Sequence, residues 1–192
     1  MEKIACITGA SSGIGRETAL VLAENGYKLI LCGRRKDRLE SLQKEISVDS
    51  TILIFDVRDL GQVQSSFASL SEDWKNIDVL INNAGNAHGL SPIQDGDVAD
   101  WDAMMHGNVN GLLYVSKSVM PFMIARKKGH IINISSIAGK QIYANGAVYC
   151  ASKAAVEVLS QGMPIDLNPF GIKVSNLAPG AVNTEFPAVR FK

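Results

Sequence analysis

Six short runs rich in isoleucine, leucine and valine punctuate this chain, and they constrain its fold more than any other feature. KIACITG, KLILCG, TILIFDV, DVLINNAG, HIINISS and IKVSNLAPG each end at turn-forming or polar residues. Near-continuous apolar runs of this length mark strands buried on both faces, as in a parallel sheet covered by helices. Between them lie stretches with helical patterning: Ile14–Asn25, Arg35–Glu45, Asp59–Leu70, Trp101–Lys127 and Val148–Asp166. Strand then helix, repeated, builds βαβ units and predicts an α/β fold: a Rossmann-type doubly wound parallel sheet flanked by helices. One feature strains the pattern. Pro164 falls near the end of the last long helix, where it removes a hydrogen bond and favours a kink.

The chain has 192 residues, which suits one domain, and repeats, low-complexity tracts and linkers are absent from it. Lysine plus arginine and aspartate plus glutamate both number 19, so no global field recruits nucleic acid or an anionic membrane surface. No apolar run approaches the length of a bilayer span, and MEKIACITGA is not a signal peptide. The three cysteines show no close pairing, and Cys6 and Cys32 fall in apolar strands. They read as reduced thiols, with cytoplasmic localisation expected. Cys150 adjoins Tyr149 but points elsewhere on a helix, as a packed or partly exposed thiol.

The first strand runs into TGASSGIG and then an amphipathic helix. Gly9, Gly13 and Gly15 allow a tight turn and close approach of a ligand, and the helix N-terminus behind them offers free N–H groups to a diphosphate. A glycine-rich turn without a ligand is the alternative, but placement between strand and helix points to a dinucleotide. The end of the second strand selects which one. An NAD site carries an acid there to bind the ribose 2′-hydroxyl, whereas this chain has Gly33 followed by Arg34 and Arg35. Two guanidiniums clamp a 2′-phosphate that a carboxylate would repel, so NADP(H) is the expected cofactor.

The glycine spacing, Gly-x3-Gly-x-Gly, together with NNAG at Asn82–Gly85, YCASK at Tyr149–Lys153 and PGAVNTE after the sixth strand, resembles the short-chain dehydrogenase/reductase family. The motifs occur in family order from Thr8 to Glu185, nearly the whole chain. The resemblance implies that Gly9, Ser11, Ser12, Gly13, Ile14 and Gly15 cradle the cofactor. It places Asp56 and Val57 at the adenine and Asn83, Ala84 and Gly85 at the adjacent ribose. Pro179, Gly180, Val182 and Thr184 should embrace the nicotinamide carboxamide.

Tyr149 and Lys153 stand four residues apart, on one face of a helix. Alone, such a pair commonly packs and solvates and does nothing more. In the family setting it becomes the acid–base pair. A phenol with pKa near ~10 exchanges protons poorly at neutral pH unless a positive charge favours phenolate, and Lys153 and oxidised nicotinamide both supply one. By resemblance, Lys153 also binds the nicotinamide ribose. Family spacing points to Ser136, rather than Ser135, as the hydroxyl holding the substrate oxygen against Tyr149. The family pattern likewise selects Asn108, not Asn110, to hold a proton-relaying water. A hydrolase reading of Ser136 lacks a Gly-x-Ser-x-Gly elbow, and no metal is expected.

GRRKDRLE, WKNIDVLINNAG and NTEFPAVRFK look like the NADP-dependent 3-hydroxy acid dehydrogenase branch, which acts on serine, allo-threonine or malonic semialdehyde. Arg190 then becomes a candidate for the substrate carboxylate, with an exposed terminal arginine as the alternative. A broad carbonyl or 3-oxoacyl reductase, or a non-catalytic NADP-binding scaffold, are the competing readings. The resemblance also implies a homo-oligomer, dimer or homotetramer, through the Trp101–Lys127 and Val148–Asp166 helices. Family members add a substrate lid and a seventh strand after the sixth, so the native protein is expected to continue past Lys192.

Overall fold

The computed structural model describes residues 2–185. In chain order the elements are β1 (Ile4–Thr8), α1 (Gly13–Glu24), β2 (Lys28–Gly33), α2 (Lys36–Glu45), β3 (Ser50–Ile54), α3 (Leu60–Ala68), β4 (Ile77–Asn82), α4 (Val98–Met105), α5 (Gly111–Arg126), β5 (Gly129–Ile134), α6 (Ala147–Leu167) and β6 (Ile172–Leu177). The six strands form one sheet in the order β3-β2-β1-β4-β5-β6, every pairing parallel. This is the Rossmann-type doubly wound sheet that the apolar runs predict.

Alternation along the strands divides the core between two faces. Ile4, Cys6, Ile30 and Cys32 point to one side, against Val63 and Phe67 of α3 and Val115, Val119 and Met123 of α5. Ala5, Ile7, Leu29 and Leu31 point to the other, against Ala19 and Ala23 of α1 and Leu39 and Leu42 of α2. Full burial of each such leucine or isoleucine contributes about 1.5–3 kcal/mol, and both faces need it, hence the unbroken apolar runs. Cys6, Cys32 and Cys150 are all free and buried. The last packs with Ala87, Met104, Ala138 and Tyr149, so its thiol is filler.

Two helices depart from expectation. The Trp101–Lys127 stretch starts earlier, at Val98, where Asp97 caps the helix by accepting a 2.8 Å bond from Ala99 N–H. It is also interrupted by a π-turn over His106–Asn110 before α5 begins. Gly107, a poor helix former at the turn, fits that distortion. Pro164 does not end α6, which runs one more turn to Leu167; the Pro164 carbonyl still accepts from Asn168 N–H. Proline near a C-terminus forfeits one bond and leaves the rest of the last turn intact. No described helix is long and apolar enough to cross a membrane.

Candidate active site

The chain reverses direction across the sheet between β1 and β4, which neighbour each other although β2 and β3 lie on one side and β5 and β6 on the other. At such a switch point the loops leaving the carboxyl ends diverge and open a crevice. A cavity of about 750 Å³ lies there, lined by residues that follow all six strands.

The glycine loop forms its floor. Gly9 and Gly13 have φ of +67° and +53°, conformations that side chains rarely adopt. Gly15 serves packing: a Cβ there would come within 2.4 Å of Asn83 Nδ2 and of Gly9 O. Asn83 Nδ2 donates to Thr8 O at 2.9 Å, and Thr8 Oγ1 accepts from the Asn83 and Ala84 N–H groups at 3.0 Å each. These bonds clamp the end of β4 to the loop after β1. Ser12, the residue before α1, makes no side-chain cap, and Gly13 and Ile14 of the first turn line the cavity. Gly9, Ser11, Ser12, Gly13 and Ile14 line the cavity, whereas Gly15 lies behind it.

Arg34 and Arg35 line the same cavity. Arg34 Nη1 lies 3.5 Å from Asp56 Oδ2. Arg35 donates from Nη2 to Ser11 Oγ at 2.8 Å and to Ser12 Oγ at 2.7 Å. Burial disfavours ionisation of Asp56, but the Arg58 side chain and backbone N–H, with Arg34, outweigh it and hold the carboxyl below its usual range. Asp56, Val57, Asn83, Ala84 and Gly85 continue the wall.

Beyond β4 and β5 the character of the site changes from exposed to buried. Tyr149 and Lys153, both on α6, are 7% and 6% exposed and face the cavity. Lys153 Nζ donates to Ile134 O at 3.0 Å, and burial lowers its pKa from 10.5 to about 8. Ser135 and Ser136 separate by role. Ser135 Oγ donates to the Lys153 carbonyl at 3.1 Å, pinning α6, while Ser136 Oγ accepts from Ala138 N–H at 3.1 Å; both residues border the cavity.

Asn108 does not line the cavity. It is buried in the π-turn, where Nδ2 donates to Asn86 O and Ser152 Oγ at 2.9 Å each and Oδ1 accepts from Asn86 N–H at 2.7 Å. Ser152 Oγ in turn donates to the Tyr149 carbonyl at 2.7 Å. A Cβ on Gly85 would come 2.9 Å from Asn108 Oδ1 and 3.5 Å from Lys153 Nζ, so amide and amine border one small space. Pro179, Gly180, Val182 and Thr184 close the cavity from the β6 side. Arg190 lies outside the described residues. The cavity also takes in His88, Gln141, Tyr143 and Glu185, which the motifs did not single out.

These residues fit a phosphorylated dinucleotide: a positive-φ glycine cradle at the N-terminus of α1, two arginines at one end and a buried Tyr–Lys pair at the other. A model of the short chain dehydrogenase family matches residues 3–191. The NADP-dependent 3-hydroxy acid dehydrogenase YdfG of Salmonella typhi is 43% identical over 190 residues, 98% of this chain and 77% of that protein. Sulfoacetaldehyde reductase 2 of Chromohalobacter salexigens is 42% identical over 193 residues, 99% of this chain and 77% of its own length. Among solved structures, the closed form of serine dehydrogenase complexed with NADP+ superimposes with a TM-score of 0.95 at 41% identity, covering 98% of this chain and 76% of that one.

Proposed function

The chain belongs to the short chain dehydrogenase family, and from that premise we propose that it is an NADP(H)-dependent oxidoreductase acting on a small 3-hydroxy acid or the matching aldehyde. The observation that carries the reading is a single cavity with the glycine cradle, Arg34 and Arg35 at one end and buried Tyr149 and Lys153 at the other. The relatives support the substrate class. Hydroxy acids such as serine, malonic semialdehyde and sulfoacetaldehyde share an acidic group close to the reacting carbon.

When bound, the cofactor supplies or accepts hydride at its nicotinamide ring. Arg34 and Arg35 hold its 2′-phosphate, the glycine loop and the α1 N-terminus its diphosphate, and Pro179, Gly180, Val182 and Thr184 its carboxamide. Ser136 Oγ–H donates to the substrate oxygen and fixes it against Tyr149. In reduction Tyr149 gives its phenolic proton to that oxygen; in oxidation it takes the proton back. Lys153, protonated below about pH 8, places positive charge near the phenol and favours phenolate. Asn108 acts from behind: its bonds to Asn86 and Ser152 lock the π-turn against α6. Oδ1 keeps a second lone pair for a water beside Lys153.

Assembly as a dimer or homotetramer through α5 and α6, in the cytoplasm, completes the proposal. It is supported by apolar side chains exposed on those helices, Leu113 at 37%, Val158 at 68% and Ile165 at 78%. A stable monomer by light scattering at micromolar concentration would refute the assembly. The function is tested by NADPH consumption with a panel of semialdehydes and ketones, and by serine or 3-hydroxypropionate with NADP in reverse. Tyr149→Phe should lower turnover at least ~100-fold with cofactor binding intact, because only the transferable proton is lost. Retention of more than about a tenth of the rate would exclude Tyr149 as the acid–base group.

A further inference from the structure

The arginines at the adenosine end are not waiting for a phosphate with empty hands. Glu185, on the segment that follows β6, lays its carboxylate across the mouth of the cavity. Arg38 Nη1 donates to Oε2 at 2.6 Å and to Oε1 at 2.9 Å. Arg35 Nη1 lies 3.6 Å from the same Oε2. The other donors of Arg35 are already directed at Ser11 and Ser12, so Nη1 is the part of its fork turned toward the carboxylate. Arg38 stands three residues beyond Arg35, on the first turn of α2, which brings both side chains to one side of the helix entry. The segment carrying Glu185 rests on the glycine loop: a Cβ on Gly13 would come 3.2 Å from the Thr184 side chain.

An anion held by two arginines beside Ser11 and Ser12, at the end of the cleft where Arg34 also stands, occupies the kind of position a 2′-phosphate needs. The two anions cannot share it. A phosphate monoester carries about −1.5 to −2 charge and presents three acceptor oxygens where the carboxylate presents two. All three side chains are roughly half exposed, so exchanging one anion for the other requires no buried charge to be uncovered. The Arg38 hydrogen bonds, with Arg35 nearby, hold the Glu185 carboxyl below its ordinary range, so at neutral pH it is an anion.

We infer that Arg38 is a third arginine of the 2′-phosphate site and that Glu185 is its resident counter-anion, released when the phosphate enters. The inference rests on the reading of the cavity as an NADP(H) site. It makes two side chains that touch no nicotinamide into determinants of the NADP-over-NAD preference. It also links phosphate binding to release of the segment after β6, because the bonds that tie Glu185 to α2 are those the phosphate replaces.

Calorimetric titration with adenosine 2′,5′-bisphosphate and with adenosine 5′-phosphate, at low ionic strength, tests this without turnover. Arg38→Ala should weaken the bisphosphate about three- to tenfold and the monophosphate less than about twofold. Glu185→Gln should tighten the bisphosphate by about threefold and leave the monophosphate unchanged, and the gain should vanish in the Arg38→Ala background. If either substitution changes both probes equally, Glu185 and Arg38 merely fasten the segment and the inference fails, while a selective loss in Arg34→Ala leaves the NADP reading standing. A wild-type protein that does not distinguish the two probes overturns both.

Discussion

Replacing Lys153 with methionine should remove activity and, in the cofactor-free protein, leave the fold as stable or more so at neutral pH. The side chain is 6% exposed and its ammonium donates to the Ile134 carbonyl. Burial without a counter-charge depresses its pKa from 10.5 to about 8. A folded pKa below the unfolded one means that the unfolded chain binds the proton more tightly. Charging Lys153 therefore destabilises the native state below pH 8, and the penalty fades as pH rises from 8 toward 10.5. The depression corresponds to about 3 kcal/mol at pH 7 and about 2 kcal/mol at pH 9. Methionine has similar length, removes the charge and forfeits the bond to Ile134 O, a loss of about 1–3 kcal/mol.

The pH dependence isolates the charge, because the lost hydrogen bond and any change in packing are the same at both pH values. Urea unfolding of both proteins at pH 7 and pH 9 should show wild type gaining about 1 kcal/mol on the variant over that interval. Titrations of groups away from Lys153 and Tyr149 cancel in the difference. Parallel stability profiles for the two proteins would refute the reasoning, since they would mean that Lys153 is solvated or paired well enough to keep its ordinary pKa.

Arg34→Ala should weaken NADP about tenfold and NAD hardly at all, as measured by fluorescence titration, because a guanidinium–phosphate contact contributes about 1–3 kcal/mol; equal losses would remove Arg34 from the 2′-phosphate site. Gly15→Ala should lower stability by about 1–3 kcal/mol, because its Cβ would meet the Asn83 amide and the Gly9 carbonyl at 2.4 Å. Thermal unfolding that matches wild type would show that the glycine loop and the end of β4 can move apart.

The sheet was legible because its signal is redundant. Every strand buries both faces, so six apolar runs announce six strands, and the helices between them leave parallel pairing as the only arrangement with short connections. What sequence left hidden depends on contacts between distant segments. Glu185 meets Arg38 across 147 positions of chain, and no local pattern in NTEF marks that acid as a partner. Arg38 itself was within reach, since it repeats Arg35 one helical turn on in GRRKDRLE. The roles of Ser135 and Ser136 also needed coordinates. Both are serines at the end of a strand and both border the cavity, and only the coordinates show that Ser135 commits its hydroxyl proton to the Lys153 carbonyl while Ser136 Oγ accepts from Ala138 N–H.

The two ends of the cavity solve opposite electrostatic problems, and the difference explains why the motifs read so unequally. At the adenosine end the ligand brings its own charge, so half-exposed arginines suffice and can rest on Glu185 or Asp56 in the meantime. Such contacts are individually weak and tolerate rearrangement. At the reacting end the charge must be present before the ligand and must act on a phenol, which requires low dielectric and therefore burial. A buried lysine survives only if its surroundings cannot relax around it. Ser135 holds the Lys153 carbonyl, Ser152 holds the Tyr149 carbonyl, and Asn108 ties Ser152 to the π-turn. These polar side chains, packed behind Tyr149 and Lys153 and mostly hidden from the ligand, keep α6 from shifting to open the ammonium to bulk solvent. The π-turn belongs to that frame: a regular helix through Gly107 would place Asn108 elsewhere on the α4–α5 surface, away from Ser152.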